Sequence, residues 1–107
     1  MARNRFVTFN DNRFFADEDK KAVVINWKKT NGKWYSFKEN GVLRQNEFYV
    51  FYYLKADGSM ADNEWIYDKN YGGKFYLQAD GVYARNIATI DGKKHAFQEN
   101  GLWIGEV

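Results

Sequence analysis

Apolar residues come in short alternating runs, each closed by a turn pair, and no window carries a helical period. From Trp27 to Phe48 the chain reads WKKTNGKWYSFKENGVLRQNEF. The run Trp34, Tyr35, Phe37 is followed by Asn40-Gly41 and then by Val42 and Leu43. An Asn-Gly pair between two apolar runs predicts a β-hairpin, because both central residues of a type I′ turn need positive φ. Asn31-Gly32 is a second such pair and turns the chain into the hairpin.

The unit recurs about every 20 residues. Gly41, Gly58, Gly81 and Gly101 each follow Asn or Asp, and Lys20 after Asp19 takes the equivalent place in a diverged first unit. Seven positions beyond these anchors stand Trp27, Phe48, Trp65 and Ala88, with Phe6 extending the column backwards. Ala2-Arg3-Asn4 repeats Ala84-Arg85-Asn86, and Met1 then joins the column of Ala22, Leu43, Met60, Tyr83 and Trp103. The expectation is an all-β solenoid of about five stacked β-hairpin repeats, cut from a longer array, with units near 6–26, 27–47, 48–64, 65–87 and 88–107. The third unit is short, as if its first turn were lost where Tyr49-Val50 runs into Phe51. Lys69 to Gly73 lengthen the fourth.

Strand alternation sorts the residues by face. Six and four before each anchor stand Phe14 and Ala16, Tyr35 and Phe37, Tyr52 and Leu54, Phe75 and Leu77, His95 and Phe97. That uniformly apolar face is the expected core. Seven and five before stand Arg13 and Phe15, Trp34 and Ser36, Phe51 and Tyr53, Lys74 and Tyr76, Lys94 and Ala96. Charges mix with rings there, so that face is expected to meet water.

Composition narrows the function. With 107 residues, the chain is expected to form one small module, burying roughly 60 to 70% of its unfolded surface. Aromatics at 20% exceed what so thin a core needs, so some rings are expected to face solvent or a ligand. There is no cysteine and one histidine, His95, which stands where other units have Phe or Tyr. A thiol nucleophile, a thiolate metal site and a zinc centre are therefore not expected, and His95 is read as a core or capping ring. The acids Asp57, Asp80 and Asp91 precede turn glycines, where Asp is favoured for backbone reasons. A net charge of +2, spread evenly, gives no polyanion surface, so no nucleic-acid partner is expected. No apolar run is long enough for a membrane span. No catalytic constellation, metal or cofactor is expected.

The pattern of Trp, a polar turn, Gly-Lys-Trp-Tyr, an aromatic, Asn/Asp-Gly and an aliphatic or Met resembles the choline-binding (cell-wall-binding) repeat of Gram-positive surface proteins and phage lysins. WKKTNGKWYSFKENGVL and FYYLKADGSMADNEW carry it best. The resemblance implies a β-solenoid on the bacterial surface, the signal sequence lying outside this chain. It also implies a partner: choline or phosphocholine on cell-wall teichoic acid, held in aromatic cages by cation–π contacts. Related repeats bind glucans, which leaves a carbohydrate module open, and drifted repeats leave a purely structural or protein-contact role open. Carried over position by position, one cage comprises Trp27, Trp34, Tyr53 and Met60, and a second Phe48, Phe51, Tyr76 and Tyr83. The sets Trp65, Lys74, Ala96, Trp103 and Phe6, Arg13, Ser36, Leu43 each put a cation in a cage wall and are expected to be dead. Leu102, Trp103 and Ile104 leave the last unit apolar, so an end-to-end homodimer through the C-terminal hairpin is expected.

Overall fold

In the computed structural model, residues 5–16 and 26–107 are described. The equivalence of Lys20 with the turn glycines, the Ala2-Arg3-Asn4 repeat and the placing of Met1 and Ala22 lie outside the described residues. Among those described, every regular element is a strand. Five hairpins follow in order: β1 (Arg5–Phe9) with β2 (Asn12–Ala16), β3 (Asn26–Thr30) with β4 (Lys33–Phe37), β5 (Glu47–Tyr49) with β6 (Tyr52–Leu54), β7 (Glu64–Asp68) with β8 (Gly73–Leu77), and β9 (Asn86–Ile90) with β10 (Lys93–Phe97). β11 (Trp103–Glu106) adds to β10 as a third strand. The architecture is all-β and built of hairpin repeats.

Two kinds of turn alternate. Asn10-Asp11, Asn31-Gly32 and Asp91-Gly92 are two-residue turns with both φ values positive, the type I′ geometry that matches strand twist. Asn40-Gly41 is different, and the expectation of a type I′ turn there is corrected. Only Gly41 has positive φ, its N–H bonds to the Lys38 carbonyl at 2.8 Å, and the Asn40 carboxamide accepts the Val42 N–H at 3.0 Å. This is a tight turn closed by a left-handed glycine. It recurs with Gly58 on Lys55, Gly81 on Gln78 and Gly101 on Gln98, while Asp57, Asp80 and Asn100 each accept the N–H two residues on.

The first turn of the third unit is not lost. The chain reverses with Val50 at φ 57, and the unit shortens because β5 and β6 have three residues each instead of five. In the fourth unit the extra residues form a loop in which the Asp68 carboxylate accepts the N–H groups of Asn70 (2.7 Å) and Tyr71 (3.2 Å). A second left-handed column, Asn26, Asn46, Asn63 and Asn86, bends the chain into each of the last four hairpins. Asn takes this conformation at lower cost than other non-glycine residues.

The described chain forms two compact units: residues through Glu47 with Leu54–Met60, and Phe48–Tyr53 with Ala61–Val107. In the first, Leu43 donates its N–H to the Arg13 carbonyl and Met60 donates to Trp34, each at 2.8 Å, so one repeat is stitched to the strand of the repeat before it. Its core is Phe15, Tyr35, Phe37 and Leu43, with Phe6 edge-on to Phe15 and Tyr35. In the second unit Tyr83 donates to Phe51 at 3.0 Å in the same way. Two clusters form there, one of Tyr53, Ala61, Phe75 and Leu77, the other of Ala84, Ile90 and Phe97. Fully burying a ring such as Phe37 or Phe75 stabilises by roughly 1.5–3 kcal/mol.

These cores correct the assignment of faces. Phe15, not Phe14, is the buried ring of β2, and Ser36 and Tyr53 on the face expected to meet water are also buried. The hydrogen bonds explain it. The residue three beyond each anchor donates to the carbonyl five before it, Arg44 to Ser36, Ala61 to Tyr53 and Ala84 to Tyr76, so the returning chain covers that position. Of the residues seven before the anchor, Trp34, Phe51, Lys74 and Lys94 stay exposed. The ring column also needs one change. Ile87 pairs with Ala96 as Trp27 does with Ser36 and Trp65 with Tyr76, so Ile87, not Ala88, holds that place in the last hairpin.

Candidate functional site

In the first unit, antiparallel pairing sets Trp27 opposite Ser36 and Lys29 opposite Trp34, which puts Trp27 and Trp34 on one face of the hairpin. Their rings meet at 6.4 Å and 83°, a right-angled corner with Trp34 42% exposed. Met60 is drawn to this strand by its N–H bond to the Trp34 carbonyl, and the Lys29 ammonium lies 5.9 Å from the Trp34 ring centroid. Trp34 therefore neighbours both Trp27 and the Met60 backbone. Tyr53 is a core residue of the second unit, 4.8 Å from Phe48 and clustered with Phe75. Burial, and then the Asp68 carboxylate, push its phenol above the usual range.

The second unit holds two groups of rings. Tyr83 stands between Phe48 (6.2 Å, 88°) and Phe51 (5.8 Å, 67°), with Phe51 42% exposed. Tyr76, expected with them, packs against Trp65 at 5.2 Å and beside the cluster of Ala84, Ile90 and Phe97. The sequence reading missed Tyr71, which lies 5.8 Å from Phe48 and lines a small pocket with Val50 and Asn100. Its one trace was the insertion at Lys69 to Gly73. Also missed was the Arg85 guanidinium, 5.4 Å from the Phe51 centroid and 6.0 Å from that of Tyr83.

The other group surrounds an open pocket of about 660 Å³, at a place expected to be dead. Trp65 and Trp103 stand at 6.1 Å and 85°, with His95 5.2 Å from Trp65. The Trp103 indole N–H donates to His95 Nδ1 at 3.1 Å, which leaves the neutral ring its proton on Nε2. Asp91, Lys93 and Glu106 form a polar rim, and the Lys74 ammonium lies 5.3 Å from the Trp103 ring. In the remaining set Arg13 lies over Phe6 at 4.6 Å. Among the described residues no three His, Asp or Glu side chains gather to hold a metal ion, and no helix is long and apolar enough to cross a membrane.

Half-exposed rings set at right angles on stacked hairpins define a repeat module with aromatic corners. Comparison with known proteins agrees. Residues 25–43 match the family model described as "Putative cell wall binding repeat". A "Putative endo-beta-N-acetylglucosaminidase" of Streptococcus pneumoniae is 31% identical over 71 residues, covering 66% of this chain and 11% of that protein. The structure of the modular autolysin LytC from the same species matches with a TM-score of 0.86 at 31% identity, over 96% of this chain and 25% of LytC. The choline-binding domain of CbpL, also pneumococcal, matches with a TM-score of 0.70 at 42% identity, over 76% of this chain and 43% of that one. The hairpins of this chain are repeats of the choline-binding, cell-wall-binding family. The chain spans about a tenth of the curated relative's length.

Proposed function

We propose that this chain is a non-catalytic module that attaches a protein to the bacterial cell wall by holding choline, as carried on teichoic acid, in its aromatic corners outside the cell. The observation that carries the reading is the Trp27–Trp34 corner, two indoles at 83° with Trp34 open to solvent and Met60 beside it. A quaternary ammonium has no N–H to donate, so ring quadrupoles and methyl contacts must hold it, and Trp is the best such ring. The corner at Phe48, Tyr83 and Phe51 has the same form without tryptophan and is the weaker site.

Titration of tryptophan fluorescence with choline, with a sugar series as control, tests this. The wild type should respond by tens of millimolar, roughly where a weak exposed cage begins to fill. Trp34→Ala should lose most of the response while keeping its far-ultraviolet spectrum. No choline response in the wild type would remove the reading. A carbohydrate module is the second reading, favoured by the pocket at Trp65 and Trp103, where a flat indole adjoins a polar rim and the Lys74 ammonium opposes a cationic ligand. A response to sugars alone would select it.

A further inference from the structure

We infer that Arg85 is a tethered competitor for the Phe51–Tyr83 corner and sets how weakly that corner binds a quaternary ammonium; this rests on the choline reading above. Its guanidinium lies near two rings at once, 5.4 Å from Phe51 and 6.0 Å from Tyr83, while those rings stand 5.8 Å apart at 67°. The cation thus stands against the ring faces that a choline headgroup would use. A planar, weakly hydrated guanidinium suits an aromatic face better than an ammonium does.

The backbone holds Arg85 at this place. Tyr83 donates its N–H to Phe51 at 3.0 Å and Ala84 donates to Tyr76 at 2.8 Å, so the two residues before Arg85 are fixed. Asn86, next in the chain, takes a left-handed conformation with φ 61. A side chain launched from so fixed a point returns to its rings at high effective concentration, whereas free choline must come from dilute solution. Lys29 at the first corner is a poorer competitor, since among the described residues it lies near one ring, Trp34, at 5.9 Å, and carries a more strongly hydrated charge.

The apparent dissociation constant rises by the inverse of the fraction of time the corner stands open. An exposed cation–π contact shared between two rings closes it for most of that time, so removing Arg85 should raise choline affinity there roughly threefold to tenfold. Arg85 is exposed, so Arg85→Gln should fold as the wild type does.

The experiment is a choline titration followed by ¹H–¹⁵N spectra of wild type and Arg85→Gln. The Tyr83 amide, bonded to Phe51, reports the second corner, and the Met60 amide, bonded to Trp34, reports the first. The expected result is a threefold to tenfold tighter curve at Tyr83 in the variant, with the Met60 curve unchanged. Arg85→Lys, which keeps the charge without the planar fork, should fall between. Equal curves at Tyr83 in wild type and Arg85→Gln would overturn the inference. So would a response confined to Met60 in both proteins, which would leave the choline reading standing. Silence at both amides in both proteins would remove the two together.

Discussion

A methyl group at Gly101 should cost more than the same group at Gly92, nine residues earlier in the same hairpin unit. Both glycines are left-handed, with φ of +92° and +80°, so an alanine pays about 1–2 kcal/mol of backbone strain at either place. They differ in surroundings. A Cβ at Gly92 meets nothing within 4 Å, whereas one at Gly101 stands 2.5 Å from Tyr83 Cδ1 and 2.9 Å from Cγ. The atom met is part of a rigid ring on a residue whose backbone N–H is bonded to the Phe51 carbonyl, so it has no flexible end to swing away. Bringing the closest contact out to 3.4 Å means moving the whole ring, an overpacking cost of about 1–3 kcal/mol. Gly101→Ala should therefore lose about 2–5 kcal/mol in all, and Gly92→Ala about 1–2 kcal/mol.

Urea unfolding followed by tryptophan fluorescence reads the difference. The entropy that alanine removes from the unfolded chain is the same in both variants and cancels, so the gap between midpoints isolates the clash. With a slope of roughly 1–3 kcal/mol per molar urea, the gap should be near 1 M, the slopes being equal. Coincident midpoints would show that Tyr83 is not seated on Gly101, and the reasoning would fail. The second corner gives an independent readout, since a displaced Tyr83 should weaken choline binding at its amide in Gly101→Ala but not in Gly92→Ala.

Two further outcomes follow from single groups. Ser36 is 1% exposed and its hydroxyl has no hydrogen-bond partner among the described residues, so Ser36→Ala should be neutral or stabilise by about 1 kcal/mol in the same urea assay; a loss of that size would mean the hydroxyl has a partner after all. The Asp57 carboxylate accepts the Ser59 hydroxyl at 2.6 Å and the Ser59 N–H at 2.8 Å, which hold its pKa below the usual value. Its folded pKa being lowered, its contribution is present above the unfolded value, about 3.9, and is lost as pH falls through the folded value. The stability advantage of the wild type over Asp57→Asn should thus be constant from neutral pH to about 5 and shrink below about 4; an advantage independent of pH would refute it.

How far the site was legible depends on what fixes each residue. The turn glycines were readable because a left-handed residue at a fixed interval is a local demand, and the bonds from Leu43 to Arg13, Met60 to Trp34 and Tyr83 to Phe51 follow from that interval. The Trp27–Trp34 corner was readable for the same reason, since one two-residue turn sets its register. Tyr53 was put on the face expected to meet water because alternation says which side of a strand a residue faces but not what arrives there later. The returning chain at Ala61 covers it. Ala88 was preferred to Ile87 because counting forward from the preceding anchor ignores the strand pairing, which runs back from the Asp91-Gly92 turn and sets Ile87 opposite Ala96. The left-handed asparagines were visible throughout, but Asn is common in polar turns and its periodicity was masked by the glycines.

A count of cage walls also overlooks the cations. Any ring left half open on a basic, hairpin-rich surface stands within reach of a long basic side chain from its own strand or the next turn. Lys29 lies near Trp34, Arg85 near Phe51 and Tyr83, Lys74 near Trp103 and Arg13 near Phe6, so each ring group already faces a cation of this chain. Exposed contacts of this kind are worth about 0.5–1 kcal/mol, the same order as each ring contact a weak external ligand would make. Ranking these corners by number and type of ring is therefore incomplete. Each ranking must subtract the hold of the resident cation, and by that measure Trp27–Trp34, where Lys29 lies 5.9 Å from the Trp34 ring, stands above the corner where Arg85 lies near two rings.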